Sequence, residues 1–447
     1  MPPSPQGQTP GQPPGETQGE TQGTTQGHAP PRLPLWASAL VATLFVQTVS
    51  SFSSMALPLL GPPLMARSGL APESIGYVSA LTSGGISWFL ACGGPMLGHF
   101  GAIRSLQIGL ACMAAGLLLM AQPVGMVALL GALAIGFGCG PNTPAGSQIL
   151  IRTAPPRHRT LIFSIKQAGV PLGGALAGLA IAPLVQHHGL QAALWTITGI
   201  TLASILLVQP FRRRLDGGPA PAVGAGPASG AWGRALFSPR VVFRSIGVLR
   251  AHPSLPLLTA LGASYSVMQA CLMAFTATYA ITRHGATLAE AGGIVAVMQF
   301  SSMVGRVLMG WVADRRGRAL RHLAFQALAS AAAVALLLVA GGGFPLYACA
   351  ALVGFTAIGW NGVHIAELAR VAPLPLVSDV TSAASLFGFL GSITGPLAFA
   401  WLVGWTGSYE LAFLTAALQL ALFGVISFLV LGRQAGAAAA ARKGESE

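Results

Sequence analysis

The chain has 447 residues, of which 53% are hydrophobic and only 8% are charged, and its mean hydropathy is +0.67. Soluble domains carry about a quarter of their residues as charged side chains, so this composition excludes an ordinary soluble protein and favours one embedded in lipid. Lys and Arg outnumber Asp and Glu by 24 to 11, which gives a formal net charge of +13. What that excess means depends on where the arginines lie.

Twelve apolar stretches are long enough, or nearly so, to cross a bilayer core that needs about 20 residues per helix. Backbone groups in lipid must be hydrogen-bonded within their own segment, and the stretches are far longer than the roughly 10 residues of a barrel strand. We therefore predict an all-α membrane protein with twelve transmembrane helices. The predicted spans are 35–60, 74–96, 104–121, 124–150, 160–185, 190–209, 254–281, 290–313, 320–340, 345–368, 378–404 and 409–431.

The arginines of the connections predict the orientation. Sixteen of them fall in connections that face the cytoplasm if the N-terminus is inside, whereas Arg67 and Arg283 fall on the other side. Because cytoplasmic loops carry the excess of Lys and Arg, we predict a bacterial inner-membrane protein with both termini in the cytoplasm. The loop arginines account for the charge of +13, so we expect membrane lipid and no nucleic acid as a partner. The first apolar stretch starts late and is long, which predicts a first span and no signal peptide.

An internal repeat divides the spans into two groups of six. A shift of 218 residues superposes the Arg-x-Ala-Pro of Arg152 on that of Arg370. Two parallel six-helix halves are a transporter architecture, with the substrate held between them. The end of the long middle connection, 238–250, alternates arginines with apolar residues and predicts a helix on the anionic inner leaflet. The predicted divisions are a disordered tail 1–31, an N-terminal half 32–209, a basic cytoplasmic loop 210–253, a C-terminal half 254–431 and a cytoplasmic tail 432–447.

Two basic residues lie inside predicted spans, where a charge costs several kcal/mol and usually marks a pathway or a ligand contact. They are Lys166 and Arg306, and Arg306 shares a helix face with Gln299. No Asp or Glu lies deep in any predicted span, so the cavity is predicted to be positive and its cargo a small anion. The alternatives are that Lys166 reaches the cytoplasmic surface and that Arg306 pairs with a carbonyl or with Asp314.

Other polar side chains inside the spans are further candidates for binding substrate, although each can instead hold helices together. These candidates are Gln47, Asn142, Tyr265, Gln269, Trp360 and Asn361. His364 and Glu367 lie one helical turn apart and are the candidates for carrying protons, the alternative being a solvated pair near the inner end.

The segment from Gly310 to Arg318, GWVADRRGR, resembles the loop signature of the major facilitator superfamily. The resemblance covers residues 35–431 and implies that the two halves rock about a central site. It also implies a latch in which glycines permit close helix approach and charged groups pair. The residues implied in this gating are Gly310, Asp314, Arg315, Gly317 and Arg318. The matching first-half loop has Gly98 and His99 in place of the family's Asp and Arg, so we expect the latch to depend mainly on the second half.

We predict a secondary transporter that moves a small organic anion, most simply a carboxylate, by alternating access. Uptake of the anion would require symport with protons, whereas export could run without coupling. The segment around Lys166 and that around Trp360 also resemble a bacterial branch whose substrates are mostly unassigned. The alternative is an exporter of neutral or hydrophobic compounds. An enzyme or a receptor is disfavoured, because the sequence has no nucleophile–base, phosphate-loop or metal-ligand spacing. We expect a monomer with no cofactor and no metal, and with protons as possible co-substrates.

Overall fold

The computed structural model describes six stretches of the chain, which are 34–67, 69–155, 159–216, 246–316, 319–373 and 376–444. Within them the secondary structure is helical and contains no strand, which confirms the all-α prediction for this part of the chain. The predicted tail 1–31 and most of the predicted loop 210–253 lie outside the described residues. Most of the predicted surface helix 238–250 also lies outside the described residues. Its last residues belong to a 3₁₀ turn, Ile246–Ala251.

The described residues before 217 form a series of helices joined by short connections. These are α1 (Leu35–Leu59), α2 (Gly61–Arg67), α3 (Ile75–Cys92), α4 (Gly94–Phe100), α5 (Ala102–Met120), α6 (Gly125–Cys139), α7 (Asn142–Thr153), α8 (Arg159–Gln167) and α9 (Gly169–Leu215). Helix α9 is interrupted at Gly189, whose φ of 79° is open to glycine but strained for other residues.

The described residues after 245 form a second series. These helices are α10 (Ser254–His284), α11 (Leu288–Arg316), α12 (Ala319–Val339), α13 (Phe344–Val353), α14 (Asn361–Val371), α15 (Val377–Thr406) and α16 (Tyr409–Gly444). Helices α10 and α15 each end at a left-handed glycine, Gly285 and Gly407, which is the usual way for a helix to stop.

Ten helical segments of the described chain are long and apolar enough to cross a membrane, which makes this a multi-pass membrane protein. The predicted spans 160–185 and 190–209 fall in one of the ten, because α9 is continuous apart from its interruption at Gly189. The predicted span 74–96 corresponds to α3, which has 18 residues and is not among the ten.

Two of the predicted spans are broken near their middle. In span 124–150, α6 ends at Cys139 and α7 begins at Asn142, with Pro141 between them. Proline lacks the N–H that would continue the helix. In span 345–368, α13 runs into a π-helical segment, Gly354–Ile358, before α14 begins. Such π segments are frequent at functional sites.

Helices from before and after the middle loop touch directly through glycines. A Cβ atom added to Gly178 of α9 would lie closer than 3.0 Å to the carbonyl oxygen of Gly292 of α11, and the reverse holds for Gly292. A Cβ atom on Gly76 of α3 would lie 2.5 Å from the carbonyl oxygen of Pro396 of α15. Only glycine allows backbones to approach so closely, so both contacts depend on the missing side chains.

Polar contacts join several helix connections at one end of the bundle, here called the Gly189 end. Arg67 donates a hydrogen bond to Gln191, and Arg283 forms an ion pair of 2.6 Å with Glu410. Gly178 lies on α9, which turns at Gly189, and Gly292 lies in the first turns of α11, which begins at Leu288. Their contact therefore joins two helices that lead into connections at this end. In this conformation the helices are therefore packed together near the Gly189 end.

At the opposite end, Asp216 caps α5. Its carboxylate accepts hydrogen bonds from the backbone N–H groups of Ile103, at 2.9 Å, and Arg104, at 3.3 Å. The carboxylate thus satisfies free N–H groups of the first turn and lies at the positive end of the helix dipole. We expect Asp216→Ala to lower the free energy of unfolding by about 0.5–2 kcal/mol, the usual range for a lost cap.

Thermal unfolding of the purified protein measures this effect. Asp216→Asn retains an acceptor oxygen and should cost less than Asp216→Ala. Equal melting temperatures for the wild type and Asp216→Ala would show that the cap does not stabilise the folded state.

Candidate functional site

A cavity of about 320 Å³ lies between the two series of helices. Its walls come from α1 and α3 of the first series and from α10, α14 and α15 of the second. Ligand sites in proteins span about 300–1,000 Å³, so this volume suits a small metabolite. A site shared by the two halves is where a transporter of this architecture holds its cargo.

One wall is built from an aromatic and an amide side chain. The indole Nε1 of Trp360 donates a hydrogen bond of 2.8 Å to Oε1 of Gln269. Because the indole N–H can only donate, this bond fixes the amide oxygen toward Trp360 and leaves the NH₂ group of Gln269, a residue of the cavity lining, to donate to another acceptor. Tyr265 stacks on Trp360 with ring centroids 4.9 Å apart. Tyr265 itself is fully buried and supports the wall from behind.

His364 lines the same wall and has one ring nitrogen engaged. Its Nε2 lies 2.9 Å from the carbonyl oxygen of Leu258, and a carbonyl can only accept, so Nε2 carries a proton. The ring fits because residue 262 is a glycine, since a Cβ there would lie 2.5 Å from Cε1 of His364. The tautomer set by Leu258 leaves Nδ1 as the nitrogen that can gain or lose a proton.

The described part of the cavity wall contains few ionisable groups. Among the described residues that line it there is no Asp, Glu, Lys or Arg, and His364 is the one titratable side chain. Asn361 also lines it and begins α14, whose N-terminus has no side-chain cap. The positive end of that helix dipole is therefore at the wall.

Lys166 does not line the cavity and does not reach the surface, since it is 2% exposed. Its Nζ donates to the carbonyl oxygen of Asn142 and to Oε1 of Gln167, both at 3.1 Å. The side chain occupies the space left by Gly146, where an added Cβ would lie 2.9 Å from Cε of Lys166. No carboxylate pairs with this ammonium group among the described side chains.

The other first-half candidates lie around Lys166. Asn142 is buried and contributes its backbone carbonyl, whereas its side chain shows no hydrogen bond within the described chain. Gln47 of α1 packs against Gly169, three residues beyond Lys166, and its Oε1 is buried without a partner among the described residues. Neither residue lines the cavity.

Arg306 and Gln299 lie on α11, outside the cavity lining. Arg306 is half-buried and its Nε has no hydrogen-bond partner within the described chain. Its backbone N–H group lies against Gly359, the residue before Trp360, so Arg306 is next to the helix break behind the wall. Gln299 is buried and its amide fills the space beside Gly174 of α9, which makes it an interface residue between the two series.

Glu367, the second predicted proton site, is paired rather than free. Its two carboxylate oxygens accept hydrogen bonds of 2.6 Å from Nε and Nη2 of Arg370. This hydrogen-bonded carboxylate raises the pKa of Arg370. Glu367 is 3% exposed, so the alternative of a solvated pair with His364 does not hold in this conformation.

The predicted latch is only partly described. Gly317 and Arg318 lie outside the described residues, as does the side chain of Asp314. Arg315 is exposed and stacks on Trp311 at 4.1 Å. At Gly310 an added Cβ would meet no described atom within 4 Å, so the described residues show no close helix approach there.

The small hydroxyl residues that α3 and α15 contribute to the lining were missed by the sequence analysis. On α15 they belong to a helical stripe that includes Ser385, Gly388 and Ser392, and on α3 Ser79 and Ser83 are one turn apart. The signal was present as a spacing of three and four residues, which places side chains on one helix face. Serine is common in membrane helices for other reasons, so the spacing alone did not select this face.

The family model of the Major Facilitator Superfamily matches residues 43–372. An uncharacterized MFS-type transporter of Mycobacterium tuberculosis is 28% identical over 312 residues, which are 68% of this chain and 64% of that protein. The match therefore spans less than two thirds of the relative's length. A gallate transporter of Pseudomonas putida is 24% identical over 306 residues, covering 62% of this chain and 65% of that one.

Solved structures show the same fold at low identity. A peptide transporter POT in complex with sulfate has a TM-score of 0.72 at 16% identity, covering 88% of this chain and 94% of that one. A bacterial homolog of the human lysosomal transporter Spinster, inward-facing and unoccupied, has a TM-score of 0.70 at 15% identity, covering 89% and 97%. With the helical bundle, the cavity between its two series and the family match, the chain belongs to the Major Facilitator Superfamily.

Proposed function

We propose that this protein moves a small organic anion, most simply a carboxylate, across the bacterial inner membrane by alternating access. The observation that carries the proposal is the donor-rich wall of the cavity. The fixed NH₂ group of Gln269, the side chain of Asn361 and the uncapped start of α14 face a volume whose described lining has no acidic group. Hydrogen-bond donors at a helix N-terminus are a favourable site for an anion.

A buried and a half-buried cation outside the cavity lining support the same cargo. Lys166 and Arg306 have no carboxylate partner among the described side chains, and arginine keeps its charge inside proteins. In a low-dielectric interior their fields reach further than in water and favour negative charge between the halves. The relative from Pseudomonas putida, named a gallate transporter, adds a precedent for an organic anion.

The architecture that we propose has twelve transmembrane helices in two pseudo-symmetric halves, 32–209 and 254–431. Helix α9 supplies two spans because it turns at Gly189, and α3 supplies a further one. We place both termini and the loop 210–253 in the cytoplasm, since that side then holds sixteen arginines of the connections. We propose a monomer, because each half of the cavity comes from the same chain.

We also propose that uptake is coupled to protons through His364, as a symport. An anion enters a negative interior against about 2.3 kcal/mol per 100 mV, so accumulation requires a compensating charge. His364 lines the cavity, and its Nδ1 can carry that charge as a bound proton. Glu367 can take part only in a state in which the exposed Arg370 has moved away from it.

Binding of acids and of their amides tests the cargo proposal. We expect benzoate and lactate to raise the melting temperature of the purified protein, and benzamide and lactamide, which have nearly the same shape, to leave it unchanged. Asn361→Leu should weaken acid binding roughly tenfold, as expected for a lost hydrogen bond to a charged group. The matched control is Gln122→Leu, which removes an exposed amide outside the cavity.

A second candidate is an exporter of neutral or hydrophobic compounds. The observation in its favour is that the described lining carries no formal charge and includes many apolar side chains, such as Met55, Met273 and Phe389. Stabilisation by the amides that equals stabilisation by the acids would favour this candidate over the anion transporter.

A further inference from the structure

We infer that the cargo is a hydroxylated acid with an apolar body, bound with its carboxylate at the wall of Gln269 and Asn361 and its hydroxyl groups toward serines of the cavity. The inference rests on the proposed anion transport and adds the substrate class and its orientation. The supporting observation is that most hydroxyl groups of the lining donate their hydrogens to backbone carbonyls of their own helices.

Seven hydroxyl side chains line the cavity, and most of their hydrogens are already used. Three serines donate to the carbonyl four residues earlier in their own helix, as Thr82 also does: Ser266 to Gly262 at 3.0 Å, Ser385 to Thr381 at 2.7 Å and Ser392 to Gly388 at 3.1 Å. Ser54 donates to Ser51, and Thr82 donates to Val78.

A hydroxyl that donates its one hydrogen to the backbone keeps lone pairs and presents only an acceptor to a ligand. To donate to a carboxylate instead, each would have to give up a bond to its own helix. These hydroxyl groups of the lining thus favour a cargo group that donates a hydrogen bond, and a carboxylate cannot donate one. A hydroxyl group on the cargo can donate such a hydrogen bond.

Donors and acceptors therefore occupy different parts of the cavity. The fixed NH₂ group of Gln269 and the start of α14 offer donors, whereas serine oxygens of α10 and α15 offer acceptors. Gly388 keeps one of these oxygens open, since a Cβ there would lie 3.1 Å from Oγ of Ser266. A molecule with a carboxylate at one end and hydroxyl groups elsewhere satisfies both sets at once.

The remaining lining sets the character of the cargo's body. Apolar side chains such as Ile86, Met273 and Phe389 lie between the polar groups. A polyol acid would leave hydroxyl groups against these side chains without partners, which is costly in a desolvated site. A single ring or short apolar chain that carries a few hydroxyl groups fits a cavity of about 320 Å³.

A series of benzoates with one changed group tests the inference. Binding to the full-length purified protein is measured for benzoate, 3,4-dihydroxybenzoate and 3,4-dimethoxybenzoate. We expect the dihydroxy acid to bind about five- to fiftyfold more tightly than benzoate, as one or two added hydrogen bonds would give. The dimethoxy acid should bind no more tightly than benzoate, because methoxy oxygens accept and cannot donate.

Variants show whether the serines are responsible. Ser266→Ala and Ser385→Ala should each reduce the ratio of dihydroxy-acid affinity to benzoate affinity by about two- to tenfold. The matched control is Ser204→Ala, which removes a buried hydroxyl that also bonds the carbonyl four residues earlier, away from the cavity.

The outcomes separate this inference from the proposed function. Equal binding of benzoate and the dihydroxy acid would overturn the inference and leave anion transport standing, as would a dimethoxy acid that binds as tightly as the dihydroxy acid. Tighter binding of the dihydroxy acid that neither serine variant reduces would also overturn it. If 3,4-dihydroxybenzamide binds as tightly as the acid, the proposed anion transport fails. If no acid of the series binds, both fail.

Discussion

Replacing His364 by leucine should abolish the accumulation of a carboxylate that a pH gradient drives, while leaving downhill equilibration of the carboxylate intact. His364 is the titratable side chain of the described cavity lining, and its Nε2 proton is held by Leu258. A carrier that moves one proton with each anion should accumulate its cargo about tenfold for each pH unit across the membrane. Without the imidazole, the ratio of internal to external cargo should fall to one.

Uptake of radiolabelled 3,4-dihydroxybenzoate into proteoliposomes with an imposed pH gradient, after subtraction of the uptake by protein-free liposomes, measures this ratio. The control is His187→Leu, which replaces an exposed histidine outside the cavity. Gly262→Ala should act in the same direction, because its methyl group would displace the ring from Leu258. Tenfold accumulation by His364→Leu would show that the coupling proton binds elsewhere.

The second large effect is expected from Gly178→Ala. A methyl group there would lie closer than 3.0 Å to the carbonyl oxygen of Gly292, a backbone atom that cannot turn aside as a side chain can. Closure of the Gly189 end should then cost about 1–3 kcal/mol more, which shifts the balance between conformations by roughly 5- to 150-fold. Turnover should fall by a comparable factor, with cargo binding retained in the conformation that is open at this end.

Transport rates and the distance between spin labels at residues 188 and 406, in a background without native cysteines, measure both parts of the effect. Gly199→Ala lies on the same helix and its methyl group would meet nothing within 4 Å, so it should behave as wild type. A Gly178→Ala variant with normal turnover and an unchanged distance distribution would mean that the two helices do not separate during transport.

The helix bounds were largely predictable because lipid demands long apolar runs. The predicted span 104–121 corresponds to α5, Ala102–Met120, and the predicted span 35–60 to α1, Leu35–Leu59. The breaks inside the predicted spans 124–150 and 345–368 were not predicted, since hydropathy averages over the backbone detail that Pro141 introduces. The π segment before α14 has no comparable sequence signal.

The site was predictable only in part. Polarity inside an apolar span selected Gln269, Asn361 and His364, which do line the cavity. The same criterion selected Lys166, whose direction depends on a glycine twenty residues away, Gly146, that leaves room for its side chain. Which face of a helix meets a partner is decided by such contacts between helices, and a single sequence does not contain them.

The cap that Asp216 places on α5 has a consequence for biosynthesis. Asp216 follows the last residue of α9, and it bonds residues made more than a hundred positions earlier. Chains emerge from the ribosome N-terminus first and tend to fold unit by unit in that order. Helix α5 can therefore acquire its cap as soon as α9 has been inserted, before any helix of the second series has been synthesised.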